Sequence, residues 1–235
     1  MKVGMIQSNY IPWRGYFDFI DDVDVFIFYD DVQYGFGKKW RNRNKIITPF
    51  GLKYLTVPLE KKRGYKLIDE VKINYQHDWQ LDHINKLISN YKKAPYFFSY
   101  INQFKSILNC NFNTISELNI ALCKWIISIL NINTVVKLSR ELLIQDEDKA
   151  IRPLLFLKKL NATVYLTGPN TAPYTDHELY KTHGIQLEFK SYDYLPYHQC
   201  WSNFCNNVSI LDLIFNTGPN AIKYLKSRTP NVRVC

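Results

Sequence analysis

The first thirty residues restrict the fold more than any other part of the chain. Residues 2–7 (K-V-G-M-I-Q) form a short apolar run, and Pro12 opens a helical stretch that continues through Ile20. Residues 23–29 (V-D-V-F-I-F-Y) are almost all β-branched or aromatic. Proline suits a first helical turn, where its missing N–H would have no partner, and β-branched and aromatic side chains suit a strand. Strand, loop, helix and strand within about thirty residues is the length of a βαβ unit. Ligands of such sheets gather at the carboxyl ends of the strands. Residues 7–10 and 30–33 are therefore expected side by side at one edge.

The rest of the chain continues in the same style. Residues 40–47 and 53–59 read as two strands joined by a turn around Pro49 and Gly51, and 67–73 as a further strand. Helical rhythm covers 79–91, 96–108 and 116–130, the last with Ser116 in position to cap it. Strands at 133–138, 163–167 and 186–189 alternate with helices at 148–160 and near 175–183. Two more helices are expected at 209–216 and 219–226. No repeat, low-complexity stretch or long linker interrupts this order. The expectation is one α/β, Rossmann-like domain over 1–235, with a mostly parallel sheet, an antiparallel extension and a helical insertion at about 78–131.

Composition narrows the class. Hydrophobic residues make up 46% and charged residues 22%, as in ordinary globular domains. No apolar run approaches the length of a membrane span, and the N-terminus turns polar too early for a signal peptide, so a cytoplasmic protein is expected. The five cysteines are odd in number and include no C-x-x-C. Cys200 and Cys205, with His198 nearby, lack a second ligand pair at a recognisable spacing, so no metal is expected.

The net charge of +9 is unevenly placed. Residues 1–37 carry −4, residues 38–66 carry +9, and the last 13 residues carry +4. A concentrated block of positive charge attracts phosphate-bearing partners. Lys61, Lys62 and Arg63 read as a solvated face. Trp40, Arg41, Asn42, Arg43, Asn44 and Lys45 read as a site, because arginine offers a planar fork of donors and asparagine both donor and acceptor. On a strand, Arg41 and Arg43 would share one face, and Asn42 and Asn44 the other.

Motifs are spread over nearly the whole chain: Q-S-N-Y-I-P-W-R-G-Y-F (7–17), Y-D-D-V-Q-Y (29–34), W-R-N-R-N-K-I (40–46) and T-V-P (56–58). D-W before His83, Y-K-K-A-P-Y-F (91–97), T-G-P (167–169) with Tyr174, Y-H-Q (197–199) and S-I-L-D-L-I-F-N-T-G (209–218) follow. In this order they resemble the WbqC-like family; Ser8 stands where relatives often carry proline. The resemblance implies an accessory enzyme of bacterial surface-polysaccharide (O-antigen, lipopolysaccharide) clusters. The implied reaction is transfer of an acyl or aminoacyl group, glycyl being one suggestion, to the amine of a nucleotide-linked amino-dideoxy sugar. A coenzyme A thioester or an aminoacyl-tRNA would be the donor, with no tightly bound cofactor.

Such N-acylation needs a base for the ammonium and donors aimed at the developing oxyanion. Asp30, Asp31 and His83 are the candidate bases. Adjacent carboxylates at a strand end point to opposite sides, so one of Asp30 and Asp31 would face the pocket. Gln7, Tyr10, Trp13, Gln33, Trp40, Arg41, Asn42, Arg43 and Asn44 are the candidate binding residues, joined by Gly168, Tyr174, Tyr197 and Gln199. Each has a plainer reading: turn-forming aspartates, a packed histidine, core aromatics, a tight turn at Gly168. The opening is also similar to nucleotidylyltransferase-type folds, with Pro12, Gly15 and Tyr16 roughly in place but both histidines absent. A non-catalytic module binding nucleic acid or a partner, and a sugar-modifying hydrolase or isomerase, remain open at this stage.

Overall fold

A computed structural model describes residues 1–35, 40–60, 66–145, 148, 150–201 and 204–234. β1 (Lys2–Ile6) leads through α1 (Arg14–Asp21) to β2 (Val25–Phe28), which lies parallel to β1 with Val3 opposite Val25 and Ile6 opposite Phe28. A separate antiparallel hairpin follows, β3 (Arg43–Thr48) and β4 (Gly51–Thr56), with Gly51 at φ +97°, backbone that favours glycine. Three helices come next: α2 (Trp79–Tyr91), α3 (Phe97–Leu108) and α4 (Ile115–Ile129). The chain then returns through β5 (Val135–Leu138), α5 (Ile151–Lys159), β6 (Val164–Thr167), α6 (His177–Thr182) and β7 (Gln186–Phe189). α7 (Ile210–Thr217) and β8 (Val232–Val234) complete it.

The main sheet runs β5-β2-β1-β6-β7-β8, parallel except for β8. The chain therefore builds outward from β1 to β5, then returns to the other side of β1. In open α/β sheets a ligand crevice forms where the order reverses in this way, here outside the carboxyl ends of β1 and β6. The inner strands are buried on both faces, which explains their unbroken apolar runs.

Each face of the sheet has its own core. One joins α1, the hairpin, α2 to α4 and α7 through Phe17, Phe28, Ile46, Leu87, Phe104, Leu122 and Phe215. The other packs α5 and α6 through Phe156, Leu157 and Tyr180 against Val3, Ile27 and Leu187. The helical insertion thus shares a continuous apolar core with one sheet face.

Three expectations change, and one strand is added. Residues 67–73 form a short 3-10 turn, Ile68–Glu70, held by the Glu70 carboxylate accepting from the Leu67 N–H. Its flanks touch neighbours through isolated bridges instead of a ladder. α4 is capped by Thr114, reciprocally with Glu117, while Ser116 turns inward. The expected helix at 219–226 is a 3-10 segment, Gly218–Tyr224, and the edge strand β8 is too short and exposed to announce itself in sequence. Among the described residues no helix is long and apolar enough to cross a membrane.

Candidate substrate site

The segment after β1 is held by bonds from three other parts of the chain. The Ser8 N–H donates to Asp30 Oδ1 at 2.7 Å, and the Tyr16 hydroxyl donates to the Gln7 carbonyl at 3.1 Å. The Tyr10 N–H donates to the Trp40 carbonyl at 3.0 Å, bringing the start of the hairpin over this loop. Ile11 has φ +36°, strained for a β-branched residue, and its carbonyl accepts from the Asn44 amide.

This stitching forms a pocket of about 280 Å³ lined by Asn9, Pro12, Trp13, Trp40, Asn44, Lys45 and Asn207. Trp13 is backed by Tyr192 at 5.2 Å and by the edge of Tyr194 at 5.7 Å between ring centroids. Trp40 carries Lys45 Nζ 5.2 Å from its ring. The pocket thus has two indole walls, amides and one ammonium.

Unpartnered buried polar atoms mark the same region. Asn9 Oδ1, Arg41 Nε, Arg43 Nε and Asn119 Oδ1 are all buried without a hydrogen-bond partner among the described residues. Asn119 belongs to the group because its amide nitrogen donates to the Arg41 carbonyl at 2.8 Å and to Ser8 Oγ at 3.2 Å. Buried polar groups in folded proteins are nearly always paired, so such a gathering signals a place for a polar ligand.

The electrostatics centre on Asp30 and Arg41. Burial raises the affinity of the Asp30 carboxyl for its proton, against the pull of hydrogen bonds from Ser116 and Ser8 and the charge of Arg41. Burial likewise works against the charge on Arg41, opposed by Asp30, Tyr34 and Tyr16. Both Asp30 oxygens are engaged, one by the Ser8 N–H and the other by the Ser116 hydroxyl at 2.5 Å. The carboxylate fastens the β1 loop to α4.

A model of the WbqC-like protein family matches residues 7–224. The chain belongs to the WbqC-like protein family. It is also 40% identical over 228 residues to the uncharacterized protein Rv1507c of Mycobacterium tuberculosis (strain ATCC 25618 / H37Rv), covering 96% of this chain and 97% of the relative. No solved structure matches it. The part matched by the WbqC-like model starts at Gln7, where the pocket loop starts, and holds every residue that lines the pocket.

Of the residues singled out from sequence, Trp13, Trp40 and Asn44 line the pocket, and Gln7 and Tyr10 lie in the loop that shapes it. Arg41 and Arg43 do not share a strand face. Arg41 sits in the turn before β3 and Arg43 is its first residue, with its guanidinium 4.1 Å from the Tyr54 ring. The Asn42 amide donates to the Val57 carbonyl, and Gln33 is exposed beside Leu67. Asp31 points away from Asp30, to Ser139 and Arg152 near the ends of β5 and α5. His83 is 1% exposed, with Nδ1 2.9 Å from the Tyr10 hydroxyl, and burial lowers its pKa to about 4. Gly168 and Tyr174 flank the turn after β6, Tyr174 largely exposed. The Tyr197 hydroxyl and the Gln199 amide both donate to Asp212 Oδ1, at 2.7 and 2.8 Å, inside the core.

Sequence reasoning passed over Asn9, Asn119 and Asn207 as individual site residues. For Asn119 a signal existed. Ser116, Asn119 and Cys123 form a stripe at helical spacing through the apolar α4, and it is this stripe that faces Ser8 and Asp30.

Proposed function

We propose that the protein is a cytoplasmic transferase of bacterial surface-polysaccharide biosynthesis, joining an acyl or aminoacyl group, such as glycyl, to the amine of a nucleotide-linked amino-dideoxy sugar. The pocket between Trp13 and Trp40 carries this reading. Indole faces suit the apolar face of a sugar ring or a base, and the surrounding amides suit its hydroxyls. Lys45 and the unpartnered Nε of Arg41 suit the phosphates of a nucleotide carrier.

In the reaction the sugar amine forms a C–N bond to the acyl carbonyl carbon. The bond from that carbon to the donor's sulfur or ester oxygen breaks, and the proton displaced from nitrogen leaves with the thiol or hydroxyl. The Asn9 amide serves as a donor for charge developing on the carbonyl oxygen. Asp30 acts as a positioning residue, fixing Ser8 and hence Asn9 through its two hydrogen bonds.

Calorimetry and thermal shift against nucleoside-diphosphate amino sugars test the reading. A ligand that binds the native state raises its melting temperature. The expected result is a shift with an amino-sugar nucleotide that disappears in Trp13→Ala. No shift with any such sugar at millimolar concentration would overturn it.

A further inference from the structure

We infer that the outer face of the β3–β4 hairpin is a docking platform for single-stranded polynucleotide, with bases stacked on Trp40 and Tyr54 and phosphates held by Arg43 and Lys45. The inference goes beyond the transferase reading, since it concerns an open surface beside the pocket.

The hairpin register puts these side chains together. Arg43 lies opposite Thr56 and Lys45 opposite Tyr54, so all four share one face, while Asn44 and Leu55 turn into the core. Trp40, in the turn leading to β3, adds its ring 6.4 Å from that of Tyr54, tilted 31°. Both rings are open to solvent, 48% exposed for Trp40 and 40% for Tyr54. Aromatic side chains are usually buried; two neighbouring ones left open on a strand face offer stacking surfaces.

The charges alternate with the rings. Lys45 Nζ is 5.2 Å from the Trp40 ring and Arg43 is 4.1 Å from that of Tyr54. From Val32 to Leu59 the sequence holds no aspartate or glutamate at all. Cations interleaved with exposed rings, in a stretch free of carboxylates, complement a chain that alternates phosphates and bases. Trp40 and Lys45 also line the pocket, so a strand lying on the hairpin leads to the pocket rim.

The test is fluorescence anisotropy with a labelled oligouridylate of about ten nucleotides, a typical single-strand site size, read between about 50 and 200 mM salt. Two phosphate contacts predict a slope of log affinity against log salt of about −1.4. Tyr54→Leu, which keeps apolar bulk but removes the ring, is expected to weaken binding at least fivefold (about 1 kcal/mol of stacking). Arg43→Gln with Lys45→Gln is expected to flatten the slope. Melting temperatures of the variants confirm that they remain folded. Absence of binding at low salt would overturn the inference. So would equal binding of polyglutamate, which would make the face a site for an acidic protein. Wild-type affinity in folded Tyr54→Leu would do the same. Tyr54 lies outside the pocket lining, so sugar-nucleotide binding by Tyr54→Leu separates failure of this inference from failure of the transferase reading.

Discussion

The side-chain amide of Asn44 donates to the carbonyl oxygen of Ile11 at 2.9 Å, and Ile11 is held at φ +36°. The same nitrogen lies 3.2 Å from the Tyr10 carbonyl. One buried amide on the hairpin therefore holds the strained turn that starts α1, and the pocket lies beside it. Asn44→Leu removes both bonds, together with the one that Asn44 Oδ1 accepts from the Lys45 N–H, and leaves two carbonyls without that donor. Stability measured by urea unfolding is expected to fall by about 2 kcal/mol, the usual penalty for stranding buried acceptors. A loss below about 0.5 kcal/mol would show that the turn holds itself.

Gly4 matters for space. A Cβ there would meet Phe19 Cε1 at 2.5 Å, because α1 packs closely on β1. Gly4→Ala is expected to cost about 1–3 kcal/mol through overpacking. Phe19→Leu in the same chain should recover part of that loss, and strictly additive destabilisation by the two changes would contradict the contact.

The buried His83 makes stability depend on pH in a defined direction. Its folded-state pKa of about 4 lies below the ordinary value, so the unfolded chain takes up a proton first as pH falls. The stability it contributes is complete above about pH 6.5 and is lost as pH drops toward 4, on the order of 3 kcal/mol in all. His83→Gln keeps a polar partner for Tyr10 but does not titrate. The difference in unfolding free energy between wild type and variant should shrink across that window. The buried carboxyls of Asp30 and Asp212, whose pKa values burial raises, are common to both proteins and drop out of the difference. Parallel stability curves from pH 7 to 4 would contradict the role given to His83.

Arg41 should separate function from folding. Its charge opposes the burial penalty on Asp30 and its Nε is unpartnered, so the informative change keeps the charge and removes the planar fork. Arg41→Lys is expected to change unfolding free energy by less than about 1 kcal/mol while weakening nucleotide-sugar binding at least tenfold, equivalent to about 1.4 kcal/mol. Unchanged affinity would remove Arg41 from the site.

Much of this fold was readable because its elements are local. The βαβ opening, the helix at 79–91 and the strand at 186–189 follow from runs of apolar residues and helical spacing, which each segment carries in itself. Residues 67–73 read as a strand from their apolar residues, but the segment turns at 68–70 and its flanks bridge three different neighbours, Gln33, Leu59 and Thr114. The site was legible in part. The segment from Trp40 to Lys45 stood out by composition, but whether an asparagine in it lines a pocket or bonds a carbonyl depends on what folds over it.

Sequence alone determined the class of fold and the two loops that would meet at its edge, because strand ends in a parallel α/β sheet converge whatever the details. It also determined where the positive charge lies. Only the tertiary structure decided that Asp31 turns to Arg152 while Asp30 clamps Ser8 to Ser116. It likewise decided that Tyr197 and Gln199 serve Asp212 in the core. The physical reason is that a polar side chain's partner is set by distance in space. Those partners lie from 13 to 121 residues away along the chain.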